Sequence, residues 1–445
     1  IANLLKMYFQ SKDKESMILS GDDLHRWPRG DKMWEKYTHL NPHANYLDRG
    51  IEDLKNLKSN IEISRNLYNH KTGNIDKSKK IFPKSVIIFE GLHSLYDKPY
   101  RDLCDAAIYV NTNHKLKKKW KIERDTNKRG YTVDQVLNNI KKRKPDEISY
   151  IEPQKKKADI ILYFEENNKK INLKYKVIND CFLSVEYLDG IIHLYNSICD
   201  FVKISNKIGN DKELIQNGGG NLSFKIGDDI ISSQSGKKLE DINIFNGYAF
   251  TKHKSAHLDK AYRPTMEINA HRKLPNLFNI HVHPIYLNAI LCCKESAEII
   301  NSLYHDISYE YVKCRIPGDD LADSIVGNKE SVFVENHGLF ISTNDLSKSI
   351  DLLYKITNRA KNYVMSKLGT NFLSYDNFSL LNREESRISK HLFPDSVVLD
   401  INCTINAYID LLIKSMSFNP RYLTLEEIDI INNLKSEKYR KKILT

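Results

Sequence analysis

The first part of the chain alternates short apolar runs with longer polar stretches. The apolar runs cover residues 17–19, 86–89, 107–110 and 160–164. Runs of this length fit buried strands, and the polar stretches between them are long enough for helices, so the pattern predicts an α/β domain with a largely parallel sheet. Residues 165–170 are polar and predict a hairpin or loop, and residues 171–188 predict the closing strands. We therefore predict a first domain over residues 1–188.

The second part of the chain, residues 189–445, has a different rhythm. A helix-like segment over residues 193–208 leads into a glycine-rich stretch and then into several alternating strands and helices. Thr424 and Glu427 form a capping-box pattern at the start of the last apolar stretch, which predicts a helix over residues 423–443. A length of 445 residues also fits two domains better than one.

Composition narrows the class of protein. Hydrophobic residues make up 41% and charged residues 28%, which is typical of globular domains. The seven cysteines show no CxxC spacing, and no apolar run approaches the roughly 20 residues that span a bilayer. We therefore expect a cytoplasmic protein with reduced thiols and no membrane contact.

The net charge of +11 is partly concentrated in lysine-rich clusters at residues 115–119, 141–144 and 155–157. Such clusters can bind nucleic acid. These clusters lack interleaved aromatic residues, and a solvated helix face or anionic small substrates explain them more simply. We therefore expect no nucleic-acid partner.

Three histidines form a candidate metal site in the second domain. His281 and His283 lie in the apolar segment 277–291, and in an extended strand two such residues face the same side. His337 follows another apolar run and precedes Gly338, which would permit a tight turn. Three neutral imidazoles would leave a zinc position open to substrate. An isolated HxH pair is more often packing than a metal site, so this prediction depends on the residues that accompany it.

Two further motifs accompany the histidines. Arg263-Pro-Thr-Met-Glu267 precedes the HxH pair and ends in a carboxylate that could act as an acid or base near a metal. Gly218-Gly-Gly-Asn-Leu-Ser223 and Ser235-Gly236 offer hydroxyls and accessible backbone amides, which suit a phosphate group.

With His281-Val-His283 and Glu335-Asn-His-Gly338, these motifs occur in the order found in the class II aldolase/adducin family, which the chain resembles over residues 193–445. Leu392-Phe-Pro-Asp395 and Glu437-Lys-Tyr-Arg440 resemble a bacterial sugar-aldolase branch of that family. The resemblance implies an α/β domain with a central mixed or antiparallel sheet.

The resemblance also implies the roles of individual residues. His281, His283 and His337 would hold Zn²⁺, and Glu267 would be the catalytic acid/base. Phosphate would be bound by Gly220, Asn221, Ser223, Ser235, Gly236 and Thr265. Zinc would stabilise the enediolate formed when a carbon–carbon bond of a phosphorylated ketose breaks reversibly. Met266 stands where some relatives carry a second serine, so the phosphate contacts of this chain would differ.

The family leaves several reactions open. It contains aldolases, epimerases, dehydratases, decarboxylases and non-catalytic adducins, and the complete set of three histidines and Glu267 argues against the last. Cleavage of a phosphorylated ketose is the favoured reaction, and 4-epimerisation of a pentulose phosphate is the leading alternative. Relatives form rings in which a neighbour contributes a tyrosine, so we expect a homo-oligomer such as a tetramer, without knowing which tyrosine.

Acidic residues end two predicted strands of the first domain. Asp22 follows the run 17–19, and Glu90 follows the run 86–89. The carboxyl ends of parallel strands are where ligands gather in α/β sheets. An acid at the end of a strand is also often a simple solvated terminus.

The sequence motifs around these acids are more specific than the acids alone. Asp22-Asp-Leu-His25-Arg-Trp-Pro-Arg29, Glu90-Gly-Leu-His93 and Lys121-Ile-Glu-Arg124-Asp125 with Arg129 resemble the phosphoribulokinase/uridine kinase family over residues 1–164, implying a P-loop-kinase-like parallel sheet domain. The resemblance implies that Asp22 accepts the proton of an attacking sugar hydroxyl and that Glu90 helps hold Mg²⁺. His25, Arg29, Arg124 and Arg129 would contact phosphates of the sugar or of ATP.

The glycine-rich Gly-x-x-x-x-Gly-Lys-Ser/Thr loop of such kinases does not occur in the sequence. Residues 1–9 resemble the helix that follows this loop, so we expect the loop to precede Ile1 in the complete protein and this chain alone not to transfer phosphate appreciably. The favoured hypothesis is a bifunctional fusion of an ATP-dependent sugar or sugar-phosphate kinase with a zinc aldolase. The alternative is a sugar-phosphate-binding module, without turnover, attached to an active aldolase.

Overall fold

The computed structural model describes residues 1–167, 170–252, 263–369, 390–399 and 403–444. The chain forms two compact units, Ile1–Ser197 and Ile198–Thr445. The division falls inside one helix, α7 (Val185–Gly209), a few residues after the boundary predicted between residues 188 and 189.

The first unit is an α/β unit. Its strands are β1 (Ser16–Ser20), β2 (Ile63–Tyr68), β3 (Ile75–Ile81), β4 (Val86–Glu90), β5 (Ile108–Thr112), β6 (Ile160–Asn167) and β7 (Lys170–Val177). Its helices before α7 are α1 (Ala2–Ser11), α2 (Met33–Lys36), α3 (Leu47–Lys58), α4 (Lys98–Leu103), α5 (His114–Arg129) and α6 (Val133–Asp146). β1 pairs in parallel with β4, and β5 pairs in parallel with β6. The predicted parallel α/β architecture is therefore confirmed.

The antiparallel parts of this unit differ from the prediction in detail. β2 pairs with β3 and β6 with β7, and most of the polar segment 165–170 extends the β6–β7 pair, with residues 168–169 outside the described residues. The prediction of strands through residue 188 is wrong after β7, because α7 begins at Val185. Buried Leu188, Ile191 and Leu194 follow a helical spacing that outweighs the local apolar content.

A small apolar core lies beneath the first parallel strand pair. Leu19 of β1 packs with Leu54 and Leu57 of α3, Ile63 of β2 and Tyr100. The hydroxyl group of Tyr100 is kept satisfied by donating a hydrogen bond to the Leu47 carbonyl oxygen at 2.6 Å. This packing fixes the carboxyl ends of β1 and β4, where the candidate acids lie.

The second unit is built on one mixed sheet. Its strands are β8 (Asn221–Ile226), β9 (Asp229–Ser233), β10 (Tyr248–Thr251), β11 (Phe278–Val282), β12 (Tyr309–Val312), β13 (Ser331–Val334) and β14 (Gly338–Thr343). Among the described residues the strand order is β10-β9-β8-β11-β14-β13-β12, with all neighbours antiparallel except β12 and β13. The predicted mixed or antiparallel sheet is confirmed.

Helices surround this sheet. They are α8 (Ile268–Lys273), α9 (Ile285–Leu291), α10 (Ser296–Tyr304), α11 (Asp319–Ser324), α12 (Leu346–Leu368), α13 (Pro394–Val398), α14 (Cys403–Ser415), α15 (Leu425–Asn433) and α16 (Lys435–Leu444). Every residue of β13 and β14 is buried, as expected for strands covered on both faces. A cluster that includes Leu274, Val332 and Phe340 forms part of this core.

The C-terminal helix prediction is confirmed at its start and corrected at its end. Thr424 and Glu427 form the predicted capping box, which begins α15. The helix ends at Asn433, however, and α16 is a separate helix that starts at Lys435. Among the helices in the described part of the chain, none is long and apolar enough to cross a membrane.

Candidate active sites

His281 and His283 converge because they lie two residues apart at the end of β11. The strand is held on both sides, by β8 and by β14, so its register is fixed. The Nε2 atoms of the two imidazoles are 2.9 Å apart. The predicted period-two arrangement of this pair is present in the structure.

His337 lies in the short loop between β13 and β14. The sequence assigned the tight turn to Gly338, but the left-handed residue of this loop is Asn336, with φ of 57°. Gly338 is needed for a different reason: a Cβ atom there would lie 2.3 Å from the Val282 carbonyl oxygen and 2.9 Å from His283 Cδ2. The glycine therefore lets the loop approach β11 closely enough to place His337 beside the other histidines.

The three buried histidines form a donor set suited to a metal ion. One potential ligand atom from each lies within 4.8 Å of the others. His281 Nδ1 is 3.1 Å from the Leu339 carbonyl oxygen and His283 Nδ1 is 3.0 Å from Asp395, so both rings can donate outward and present Nε2 inward. Three convergent imidazoles, two of them held by an outer hydrogen bond, fit Zn²⁺.

Glu267 lies against the same histidines. Its carboxylate oxygens are 3.3 Å from His281 Nε2 and 3.0 Å from His337 Nε2, and the side chain is only 5% exposed. Burial by itself raises the pKa of Glu267, but the adjacent His281 and His337 imidazoles hold that pKa well below its usual range. Glu267 is therefore an ionised carboxylate that can accept a proton at the centre of the cluster.

A chain of hydrogen bonds orients Glu267 from behind. The Asn221 amide donates to Glu267 Oε2 at 2.7 Å, and His271 Nε2 is hydrogen-bonded to Asn221 Oδ1. His271 Nδ1 lies 2.8 Å from the Ser223 hydroxyl oxygen, which accepts from Asn279 at 3.3 Å.

The Asn221–Glu267 hydrogen bond fixes which atom donates in each of these hydrogen bonds. Because the Asn221 amide group donates to the carboxylate, its oxygen must accept, so His271 donates from Nε2 and accepts at Nδ1. Burial lowers the pKa of His271 to about 4, which keeps the ring neutral.

Asp395 and Arg440 support His283, and the sequence assigned neither of them a role. Asp395 accepts from His283 and from the Arg440 guanidinium. Burial raises the pKa of Asp395, but Arg440 and His283 outweigh it and hold the pKa far below its usual range. A Cβ atom at Gly219 would lie 2.6 Å from Asp395 Oδ2 and 2.8 Å from His283 Nδ1, so this glycine makes room for the pair. In the sequence, the only indication that Asp395 and Arg440 belong to the site was their presence in the motifs at residues 392–395 and 437–440.

A solvent-open cavity borders the cluster. Five of the six residues predicted to bind phosphate line it: Gly220, Asn221, Ser235, Gly236 and Thr265. Ser223 does not line it, because its side chain lies further along β8 and contacts His271. Asp395, Glu437 and Arg440 also line the cavity and were missed as site residues.

The first unit brings its predicted acids to one edge of the sheet. β1 and β4 are in register so that Ser20 is opposite Glu90, and the Ser20 hydroxyl donates to Glu90 Oε1 at 2.7 Å. Asp22 follows in the 3₁₀ turn Gly21–Leu24, with its backbone N–H 3.3 Å from the same hydroxyl oxygen.

Asp22 faces a solvent-open cavity that His25 also lines. Its carboxylate oxygens lie 3.8 Å from His25 Nε2 and 3.7 Å from His70 Nε2, and its side chain is 39% exposed. His25 is buried and is oriented by Asn45 Oδ1, which lies 2.7 Å from Nδ1.

The three predicted arginines lie elsewhere in the described part of the unit. Arg29 is exposed and donates to the His70 carbonyl oxygen at 2.9 Å. Arg124 Nε and Arg129 Nη1 lie 2.9 and 3.2 Å from the same oxygen of Asp125. Burial raises the pKa of Asp125, but hydrogen bonds from Arg124 and Lys121 lower it to about 2. None of the three arginines is among the described residues that line the Asp22 cavity.

These two sites define two types of domain, one kinase-like and one class II aldolase-like. Residues 10–169 match the profile of the phosphoribulokinase/uridine kinase family, and residues 199–364 match that of the class II aldolase and adducin N-terminal domain. The chain is a fusion of a domain from each of these two families.

Individual relatives match only parts of the chain. The phosphoribulokinase of Synechocystis is 42% identical over 138 residues, which are 31% of this chain and 42% of the relative. This chain thus spans about two fifths of the length of that curated relative.

Two solved structures are also similar, at low identity. Phosphoribulokinase from Rhodobacter spheroides has 21% identity and a TM-score of 0.37, covering 43% of this chain and 80% of its own. The N-terminal class II aldolase domain of a Thermoplasma acidophilum protein has 21% identity and a TM-score of 0.33. The match covers 38% of this chain and 93% of that domain's chain.

Proposed function

We propose that the second unit is a zinc-dependent lyase that reversibly cleaves a phosphorylated ketose. The observation that carries this proposal is a buried cluster of three convergent imidazoles and one carboxylate, of which His283, His337 and Glu267 line one cavity. His281, His283 and His337 are the proposed zinc ligands. When bound, zinc supplies a Lewis acid that stabilises negative charge on substrate oxygens.

The residues of the chain supply the remaining functions. Glu267 moves the proton at the carbon next to the substrate carbonyl, and Asn221 fixes the carboxylate by donating to Oε2. Ser235, Gly236 and Thr265 lie in the same cavity and offer hydroxyl and amide donors to the phosphate. Because the Asn221 amide already donates to Glu267, we assign Asn221 to the acid/base group and not to the phosphate site.

The test is a zinc-loaded panel of sugar phosphates followed by mass spectrometry without ATP. Cleavage into an aldehyde and a smaller phosphorylated ketone supports a lyase. An isomer of unchanged mass indicates the 4-epimerase alternative, and loss of carbon dioxide or water indicates a decarboxylase or dehydratase. Turnover that survives both chelation and His281→Ala contradicts the zinc mechanism.

We propose a second function for the first unit, the binding of a phosphorylated sugar and MgATP in the manner of a sugar kinase. Asp22 and Glu90 at adjacent parallel strand ends, beside a cavity lined by His25, favour this function. Asp22 would accept the proton of the attacking hydroxyl, and Glu90 would help hold Mg²⁺.

We also propose that the chain forms a homo-oligomer, with a tetramer as the first expectation.

Calorimetric titration of the chain with a pentulose phosphate tests this second function. His25→Ala should weaken binding by about tenfold, since one charge-assisted contact contributes roughly 1.4 kcal/mol or more. The matched control is His43→Ala, because His43 is exposed and does not line the cavity. Equal affinities in all three proteins would contradict a sugar-phosphate site at Asp22 and His25.

A further inference from the structure

We propose that Glu437 is a second catalytic acid/base of the lyase site, which handles the proton of the substrate hydroxyl while Glu267 handles the carbon-bound proton. This inference rests on the function proposed for the second unit. It concerns the C-terminal helix α16, to which the sequence assigned no catalytic residue.

The first observation is the position of Glu437. It lines the same cavity as Glu267, His283 and His337, although it comes from a helix far along the chain from all three. The residue is only 2% exposed. A carboxyl group enclosed to this degree in a polar reaction cavity is placed to exchange a proton with a bound molecule instead of with bulk water.

The second observation is the way its carboxyl group is held. Arg440, one helical turn further along α16, has its Nε atom 3.2 Å from Glu437 Oε2. No hydrogen bond of good geometry reaches this oxygen from the described residues. The guanidinium of Arg440 is also bound to Asp395, the partner of His283. Arg440 therefore ties Glu437 to the histidine cluster and leaves the carboxyl group able to bond to a substrate.

The charges facing Glu437 come from three further elements. These are Asp395 on α13, Glu267 before α8 and His337 in the β13–β14 loop, in addition to Arg440 on the same helix as Glu437. Burial, together with the nearby Asp395 and Glu267 carboxylates, raises the pKa of Glu437 to about 7 against the lowering effects of Arg440 and His337. Near neutral pH Glu437 can therefore either give or take a proton.

Aldol chemistry needs two proton-handling groups. In condensation, Glu267 takes the proton from the donor carbon, the electron pair of that C–H bond forms the new bond to the aldehyde carbon, and the carbonyl π electrons move to the aldehyde oxygen. That oxygen then takes the proton of Glu437. In cleavage the same proton returns to Glu437, the C–C bond breaks, and the carbon takes a proton from Glu267. Each condensation therefore moves one proton from Glu437 to Glu267, each cleavage moves it back, and transfer of that proton through water in the cavity restores both groups before the next turnover.

Isotope exchange separates the two groups. The probe is glycerone phosphate in D₂O with the zinc-loaded full chain, followed by NMR, because exchange of its carbon-bound proton requires only Glu267. Condensation of the same probe with glycolaldehyde, followed by mass spectrometry, requires both groups. Glu437→Gln should slow condensation by about 100-fold or more and leave exchange within about threefold. Glu426→Gln on α15, an exposed site, is the control.

Two readouts exclude a purely structural effect. Zinc content of Glu437→Gln should equal that of the unchanged chain, and Glu437→Asp should recover part of the condensation rate. In the metal-free protein, the infrared band of a protonated carboxyl group at pH 6 should be lost on Glu437→Gln. An unchanged condensation rate, or an equal fall of exchange and condensation, would overturn the role of Glu437. Absence of both reactions in the unchanged chain overturns the proposed lyase function together with this inference.

Discussion

The two units place their candidate acids in opposite environments. In the first unit, Asp22 lies at an open sheet edge with 39% of its side chain exposed. In the second, Glu267 and the three histidines are almost completely enclosed, and most of them have a named hydrogen-bond partner. An open site is arranged by its ligands on binding, whereas an enclosed one is arranged by the fold.

This difference has a physical consequence for substitutions. Removing a group from an enclosed polar cluster leaves its partners buried without hydrogen bonds, which costs about 1–3 kcal/mol for each one. The same change at an exposed acid costs little stability, because water replaces the partner. We therefore expect function and stability to be coupled in the second unit and separate in the first.

The largest effect is expected for His281→Ala. Loss of one ligand should remove most bound zinc and lower ketose-phosphate cleavage to less than about a thousandth. Zinc content by mass spectrometry and the cleavage rate are the measurements, with exposed His305→Ala as the control. Full activity of His281→Ala would place the chemistry outside the histidine cluster.

The second largest effect is expected in the pH dependence of the stability of the second unit. His271 is neutral in the folded state down to a pKa of about 4, whereas an unfolded histidine titrates near 6.5, so the unfolded state binds more protons between these values. The contribution of His271 to the free energy of unfolding is therefore largest above pH 6.5 and falls by on the order of 3 kcal/mol as the pH is lowered to 4.

Hydrogen exchange of amides in β8 and β11 at pH 7 and pH 4.5 measures this loss. His271→Gln should reduce the difference between the two pH values, since the side chain no longer titrates. An identical pH dependence in both proteins would show that His271 is not a neutral member of the buried chain.

Asp395→Asn tests the outer support of the histidines. Because Asp395 accepts from His283, its replacement should weaken zinc binding by about 10- to 100-fold while leaving the ligands in place. Competition with a coloured chelator measures the affinity, and Asp351→Asn, at an exposed position of α12, is the control. Unchanged zinc affinity would mean that the site does not depend on its buried surroundings as the comparison requires.

The smallest effect is expected in the first unit, at Asp125. Asp125→Asn removes the negative charge shared by Lys121, Arg124 and Arg129 and should cost this unit about 1 kcal/mol at pH 7. The folded-state pKa of about 2 is below the ordinary 3.8, so this contribution is present above about pH 4 and disappears as the pH falls through 2. Urea unfolding measures this loss of stability, with Asp180→Asn, at an exposed position, as the control. A loss of stability in Asp125→Asn that persists at pH 2 would contradict the charge explanation.

Local patterns account for what the sequence predicted correctly. The period of two in β11 brings His281 and His283 to one side, and Thr424 with Glu427 announces the start of α15. The partners that were missed come from long-range contacts. Asp395 lies 112 residues from His283 in the chain, and His271 lies 50 residues from Asn221. No local periodicity carries such a pairing, so Ser223 was also assigned to the phosphate although it supports His271.

The central claim is that the fold of the second unit holds one catalytic metal between His281, His283 and His337. Anomalous X-ray scattering at the zinc edge from zinc-loaded crystals of the 445-residue chain tests it most directly. We predict one strong peak in the second unit among these three imidazoles, lost in His281→Ala. A strong peak elsewhere with none at the three histidines would contradict the account.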